Sequence, residues 1–193
     1  MTAHLLSDIC HNVGVEPILQ PITDERLHHS TANCNTEDGA HIDIKAQGFW
    51  ENDRQCAFFD VRVFNPLAHT YRSLPLTTCH RRHEQEKKRA YDQRIREVEH
   101  GCFSPLVFSV SGGVGPAAKV VYKKLASMIA AKHNQSYSQT INWLRCRLSF
   151  SLLRSSIMCV RGSRSSAHHP AKPILSEAAI DHALCDSRVA SAE

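Results

Sequence analysis

The chain has 193 residues, 42% of them hydrophobic, and a formal net charge of +4. That length fits one domain, or one domain with a tail, and the apolar share is enough for a core. No run of about 18 apolar residues occurs, so no membrane span is predicted, and the opening MTAHLLSDIC, with an early acid and no basic start, is not expected to be a secretory signal.

The small net charge hides an asymmetry. Residues 1–99 carry 15 acids and 12 bases, residues 100–176 carry ten Lys or Arg and no acid, and residues 177–193 carry four acids and one base. A long stretch of one sign points to a polyanionic partner, nucleic acid above all, or to an acidic neighbour domain that would pair with it. The eight cysteines are scattered with no C-x-x-C, which suits reduced thiols in an intracellular protein.

The first residues read as a helix, with Thr2 as N-cap, Leu6, Ile9 and Val13 at helical spacing and Gly14 as the C-terminal stop. Residues 15–20 read as an extended segment bounded by Pro17 and Pro21, and residues 28–35 as a polar loop in which His28 and His29 are poorly placed as ligands. Two β-type segments follow. Residues 41–49 alternate Ile42, Ile44 and Ala46 against His41, Asp43, Lys45 and Gln47. Residues 56–64 put Ala57, Phe59, Val61 and Val63 on one face and Phe58, Asp60, Arg62 and Phe64 on the other. The polar turn 51–54 suits a hairpin. Asp60 is the oddity, because a carboxylate among phenylalanines is costly without a compensating partner or metal. Paired strands can bring Asp43 and Asp60 together as a hard-cation site; alternatively Asp60 pairs with Arg62 or Lys45.

Residues 78–100 carry Tyr91, Ile95 and Val98 at helical spacing with Gly101 just beyond, the mark of a helix with a narrow apolar stripe. Its Cys79, His80 and His83 lack a second ligand cluster at zinc spacing. Residues 103–110 read as a strand closed by Ser111-Gly112-Gly113-Val114-Gly115-Pro116, which has no nucleotide-loop signature and serves as a strand-to-helix turn. Pro116 suits the first turn of the next helix, buried through Val120, Val121, Leu125, Met128 and Ile129. A last helix starts near Ser138 and runs through Ile141, Leu144, Leu148 and Leu152 towards Ile157, with Gly162 as its stop. Arg145, Arg147, Arg154, Arg161 and Arg164 decorate it without an acid, a pattern that suits phosphate contact. From residue 163 the chain turns polar, with at most a weak helix over 176–184, and a mobile tail is expected. The elements predict an α/β fold of three or four strands flanked by helices.

Several long phrases carry a resemblance. GxxxDIxxxGFW stands at 39–50, FFDVRVFNP at 58–66, YxQRxxEVEHGxFxPLVFSxxGG at 91–113 and WLRxxLSFxLLRSxIxCxRGxRS at 143–165. Over roughly residues 5–168 the chain resembles the C-terminal domain of reverse-transcriptase-bearing mobile-element proteins of invertebrates. Its acid followed by an apolar strand ending in acid-x-basic resembles the PD-(D/E)XK nuclease signature. The resemblance implies a restriction-endonuclease-like αβββαβ core, a mixed sheet flanked by helices, with C-terminal helices. The domain would span residues 1–165, with its core at 38–131 and a basic helical segment at 137–162, and a flexible tail would follow at 166–193.

The same resemblance implies magnesium- or manganese-assisted phosphodiester hydrolysis that nicks target DNA. Asp43 and Asp60 would be the two acids, with the Val61 carbonyl as a further metal ligand and Glu16 or Glu25 as an assisting acid. Arg62 stands where the nuclease pattern has lysine. Arginine stays protonated and cannot act as a base, which leaves three readings: Arg62 clamps a phosphate, Lys45 or Lys87 supplies the ammonium, or the activity is lost. Lys87, Lys88 and Tyr91 would face the site or the phosphates. The implied partners are DNA, or RNA, and the reverse-transcriptase region of the parent protein, in a nuclear setting. The alternative functions are an inactive nuclease fold that binds nucleic acid, and a structural domain whose acids only pair with bases.

Overall fold

The computed structural model describes residues 1–19, 41–50 and 55–160. Glu25, His28, His29, the turn at 51–54, Arg161, Gly162, Arg164 and the tail, with its weak helix at 176–184, lie outside the described residues. The chain divides into two units, Met1–Arg154 and Ser155–Glu193, and the site described below belongs to the first.

The fold is α/β. Its elements in order are α1 (Thr2–Ile9), β1 (His11–Val15), β2 (Ile44–Gln47), β3 (Cys56–Phe64), α2 (Leu76–Glu97), β4 (Cys102–Ser109), α3 (Pro116–Lys132) and α4 (Tyr137–Val160). The four strands form one sheet in the order β1-β2-β3-β4. The first two pairings are antiparallel, and β3 pairs parallel with β4 from Ala57 opposite Cys102 to Phe64 opposite Ser109. A parallel neighbour requires a long crossover, and α2 is that crossover.

Apolar alternation along β3 sorts the core into two layers. Ala57 and Phe59 join Leu106 and Phe108 of β4 in a cluster with Leu5 and Leu6 of α1, Val121, Leu125 and Ile129 of α3, and Leu144, Leu148 and Leu152 of α4. On the other face Phe58 packs with Ile42, Ile95 and Phe103, and Phe64 packs with Cys79 and Val107 beneath α2.

Three local expectations are corrected. The first helix ends at Ile9 rather than reaching Val13, because residues 11–15 pair with β2, Gly14 opposite Lys45 and Val15 opposite Ile44. Thr2 is not the cap: Met1 precedes the helix, and the Thr2 hydroxyl lies 2.8 Å from the Tyr122 hydroxyl in the core. The strand expected over 41–49 is regular only from Ile44 to Gln47; before it the chain bends, so that Ile42 joins the layer under α2 while Ile44 joins the other.

The apolar face of β3 is also only half covered. Because β2 begins opposite Phe59, the second half of β3 has no strand on that side among the described residues, and Val61 and Val63 are 37% and 43% exposed. Among the described residues no helix is long and apolar enough to cross a membrane.

Candidate active site

The site forms where β3 outruns β2. Asp43 precedes the first residue of β2, and Asp60 follows the last β3 residue that β2 pairs. With no strand opposite, the Val61 amide would be left without a partner, and Asp43 supplies one: the Val61 N–H donates to Asp43 Oδ2 at 2.6 Å. In a strand the N–H and C=O of one residue point to the same edge, so the Val61 carbonyl faces the Asp43 side as well. The Asp43 carbonyl in turn accepts from the Glu16 N–H at 2.9 Å, which ties Glu16 to the same corner of the sheet.

Asp60 points to the other strand face, beneath α2, and is only 4% exposed. The Lys87 ammonium lies 2.8 Å from Asp60 Oδ2, close in distance although not aligned as a full hydrogen bond. Burial pushes the Asp60 carboxyl above its ordinary value, Lys87 pulls it back, and the negative charge of Asp43 adds to the upward push. The register that pairs Ile44 with Phe59 sets Asp43 and Asp60 one step beyond the last paired residues of their strands. Neither partner expected for Asp60 takes that role. Arg62 instead reaches Glu86 of α2, 3.3 Å away, and Lys45 lies over the Phe58 ring, 3.9 Å from Glu99.

Helix α2 thus supplies the ammonium that β3 lacks. Lys87 also lies 5.4 Å over the Tyr91 ring, which packs against Phe103 of β4. Lys88 is exposed one residue further on. Glu86 was not apparent as a site residue from sequence. Its helical spacing from Arg82 and from His83, 3.4 Å away, is readable there, but its hold on Arg62 depends on α2 lying across β3.

The arginines of α4 are not part of this constellation. The buried side chains of α4 pack on the sheet face that carries Ala57 and Phe59, whereas Asp60, Arg62 and Lys87 occupy the face under α2. Arg154 is exposed there, Arg145 donates to Asn142 along its own helix, and Arg147 lies 5.0 Å over the Trp143 ring.

A second buried polar group lies nearer the end of the sheet. His80 and His83 are buried on α2, and burial pushes both imidazoles below their ordinary value. A side chain on Gly113 would meet His80 Nε2 and Ser109 Oγ, and one on Gly115 would meet Glu84 Oε1. Glu84 accepts from the Ala117 N–H at 2.9 Å, so the start of α3 is already occupied by a carboxylate. The glycine turn accordingly serves close packing, as the strand-to-helix reading expects.

Among the described residues no group of three or more His, Cys, Asp or Glu side chains is placed to hold a metal ion. Asp43, Asp60 and the Val61 carbonyl are oxygen donors of the kind a hard cation takes, but Asp60 already faces Lys87 and Asp43 already accepts from the Val61 amide. No protein-family model, no curated protein and no solved structure matches the chain.

Proposed function

We propose that this chain is a restriction-endonuclease-like domain of a mobile-element protein, a metal-dependent nuclease that nicks DNA. The observation that carries the reading is the pair of acids where β3 leaves its partner, Asp43 bonded to the Val61 amide next to Asp60, with Lys87 against Asp60. The order α1-β1-β2-β3-α2-β4 around a mixed sheet supports it, being the αβββαβ arrangement that such a core requires.

Asp43, Asp60 and the Val61 carbonyl would hold a magnesium or manganese ion, which when bound lowers the pKa of water and neutralises charge on a scissile phosphate. The rest falls to side chains. Val61 fixes Asp43 through its amide. Lys87, beside Asp60, offers an ammonium to a phosphate oxygen. Arg62, permanently charged, is a clamp and not a base, and Glu86 orients it. Lys88, exposed on the same helix, extends the positive charge along the backbone of the nucleic acid. The nuclear setting and the reverse-transcriptase partner belong to the same proposal.

A second reading, a nucleic-acid-binding module without cleavage, is favoured by one feature. Asp60 is already paired with Lys87, and Arg62 with Glu86, which leaves less free charge for chemistry.

Supercoiled plasmid nicking with magnesium or manganese decides between them, with Asp60→Asn prepared in parallel. Nicking that disappears with chelator and in Asp60→Asn is the expected result. Equal nicking by both proteins removes the site. No nicking, with DNA binding that weakens steeply with salt, selects the binding module.

A further inference from the structure

Helix α4 has two apolar faces. Ile141, Leu144, Leu148 and Leu152 are buried in the core with α1 and α3. On the opposite side Phe150 is 72% and Leu153 is 55% exposed, and Cys146 is exposed with them. With Trp143, itself half-buried against the core, these residues follow steps of three, four and three, the spacing of a heptad seam. A helix needs one apolar stripe to dock on its own domain. The second stripe has large side chains where that docking leaves solvent.

The charge beside the seam is of one sign. Arg147 and Arg154 follow one heptad apart along its flank, and Arg147 is stacked on Trp143. No acid occurs in α4, nor anywhere in residues 100–176. We propose that this face of α4 docks an amphipathic helix of a partner protein, one whose apolar stripe is bordered by Asp or Glu.

Complementarity chooses that occupant. A second copy of α4 would bring another seam bordered by arginine, with no acid to meet the first. A nucleic acid would neutralise the arginines but offer the aliphatic Leu153 little, since such interfaces are polar and wet. An acidic helix satisfies both, with apolar anchors seated on Phe150 and Leu153 and carboxylates paired to Arg147 and Arg154. The inference does not rest on the proposed nuclease activity, because α4 and the carboxylate pair lie on different faces of the sheet.

The full-length chain would be titrated into a fluorescein-labelled synthetic helix with leucine at its seam and glutamate beside it, read by anisotropy. A lysine-bordered version of the helix is the control. Saturable binding of the glutamate helix is expected, at least about tenfold tighter than the lysine helix. Phe150→Ser with Leu153→Ser, and separately Arg147→Glu with Arg154→Glu, should each weaken it at least about tenfold while circular dichroism stays unchanged. No binding, or equal binding of the two helices, overturns the proposal. It is equally overturned if the Phe150/Leu153 pair instead abolishes DNA binding, if the same pair dissolves a dimer seen by sedimentation, or if the helix binds only after residues 161–193 are removed.

Discussion

Lys87→Met isolates the charge that Asp60 depends on. Methionine keeps the unbranched stem beside Tyr91 and deletes the ammonium 2.8 Å from Asp60 Oδ2. Stripping one partner from a buried pair costs about 3–5 kcal/mol, and Asp60 is buried enough for that range to apply. The carboxyl has an escape, however, because it can take up a proton. From an ordinary value near 3.9, neutralisation at pH 7 costs about 4 kcal/mol, at about 1.4 kcal/mol per pH unit. That escape caps the loss, so Lys87→Met should destabilise the fold by about 2–4 kcal/mol at pH 7. The deficit should shrink as the pH falls towards 4, where the orphaned carboxyl is protonated at little cost.

Urea unfolding of the wild type, Lys87→Met, Asp60→Asn and the double variant at several pH values reads this directly. The double variant should resemble Asp60→Asn, giving a coupling energy of about 2 kcal/mol or more, well above the scatter of independent sites. A cation that binds beside Asp43 and Asp60 should restore Lys87→Met, visible as a rise in its urea midpoint on adding magnesium and independent of any cleavage. A Lys87→Met protein within about 0.5 kcal/mol of wild type at pH 7, the level of an ordinary surface change, would refute the reasoning, as would a deficit that ignores pH.

Two further outcomes concern how the helices are tied down. Asp8 of α1 accepts from Lys132 at 2.8 Å and pairs with His133 at 2.7 Å, and these bonds hold its carboxyl below the ordinary value. A carboxyl lowered on folding contributes stability that is complete above the unfolded value of about 3.9 and is lost as the pH falls through the folded one. Asp8→Asn should therefore lower Tm at pH 7 by at most about 2–4 °C, the limit for a half-exposed pair, and the gap should close in scans below pH 4. Glu84→Ala removes the acceptor for the Ala117 N–H at the start of α3 and should cost about 1–2 kcal/mol in urea unfolding. Glu84→Gln keeps an acceptor oxygen and should recover most of that loss.

Much of the scaffold was legible because it is written in local pattern. The bounds of β3 coincide with its run of alternating side chains between Cys56 and Phe64, and α3 starts at the proline that suits a first helical turn. The reading failed where pairing competes with local preference. His11–Val15 carries helical spacing from Leu6 to Val13, yet ladder bonds to β2 take those residues from the helix. Val61 and Val63 look like core from their alternation, but a side chain is buried only if a layer lies over it, and among the described residues none covers these two.

The amino-acid order by itself pointed to the α/β class, to two strands that could set Asp43 beside Asp60, and to a stretch, residues 100–176, with ten bases and no acid. Each follows from spacing within one strand or helix, or from the pairing of adjacent strands, and needs no knowledge of distant contacts. Only the tertiary structure decided which base answers Asp60. Arg62 and Lys45 are the near candidates in sequence, but strand geometry directs Arg62 to Glu86 and Lys45 to Glu99. Lys87 arrives from another element, because α2 crosses over the sheet to carry the chain from β3 to its parallel neighbour β4. The same folding set α4 on the opposite face and parted its arginines from the acids, a separation that charge counting along a chain has no means to register.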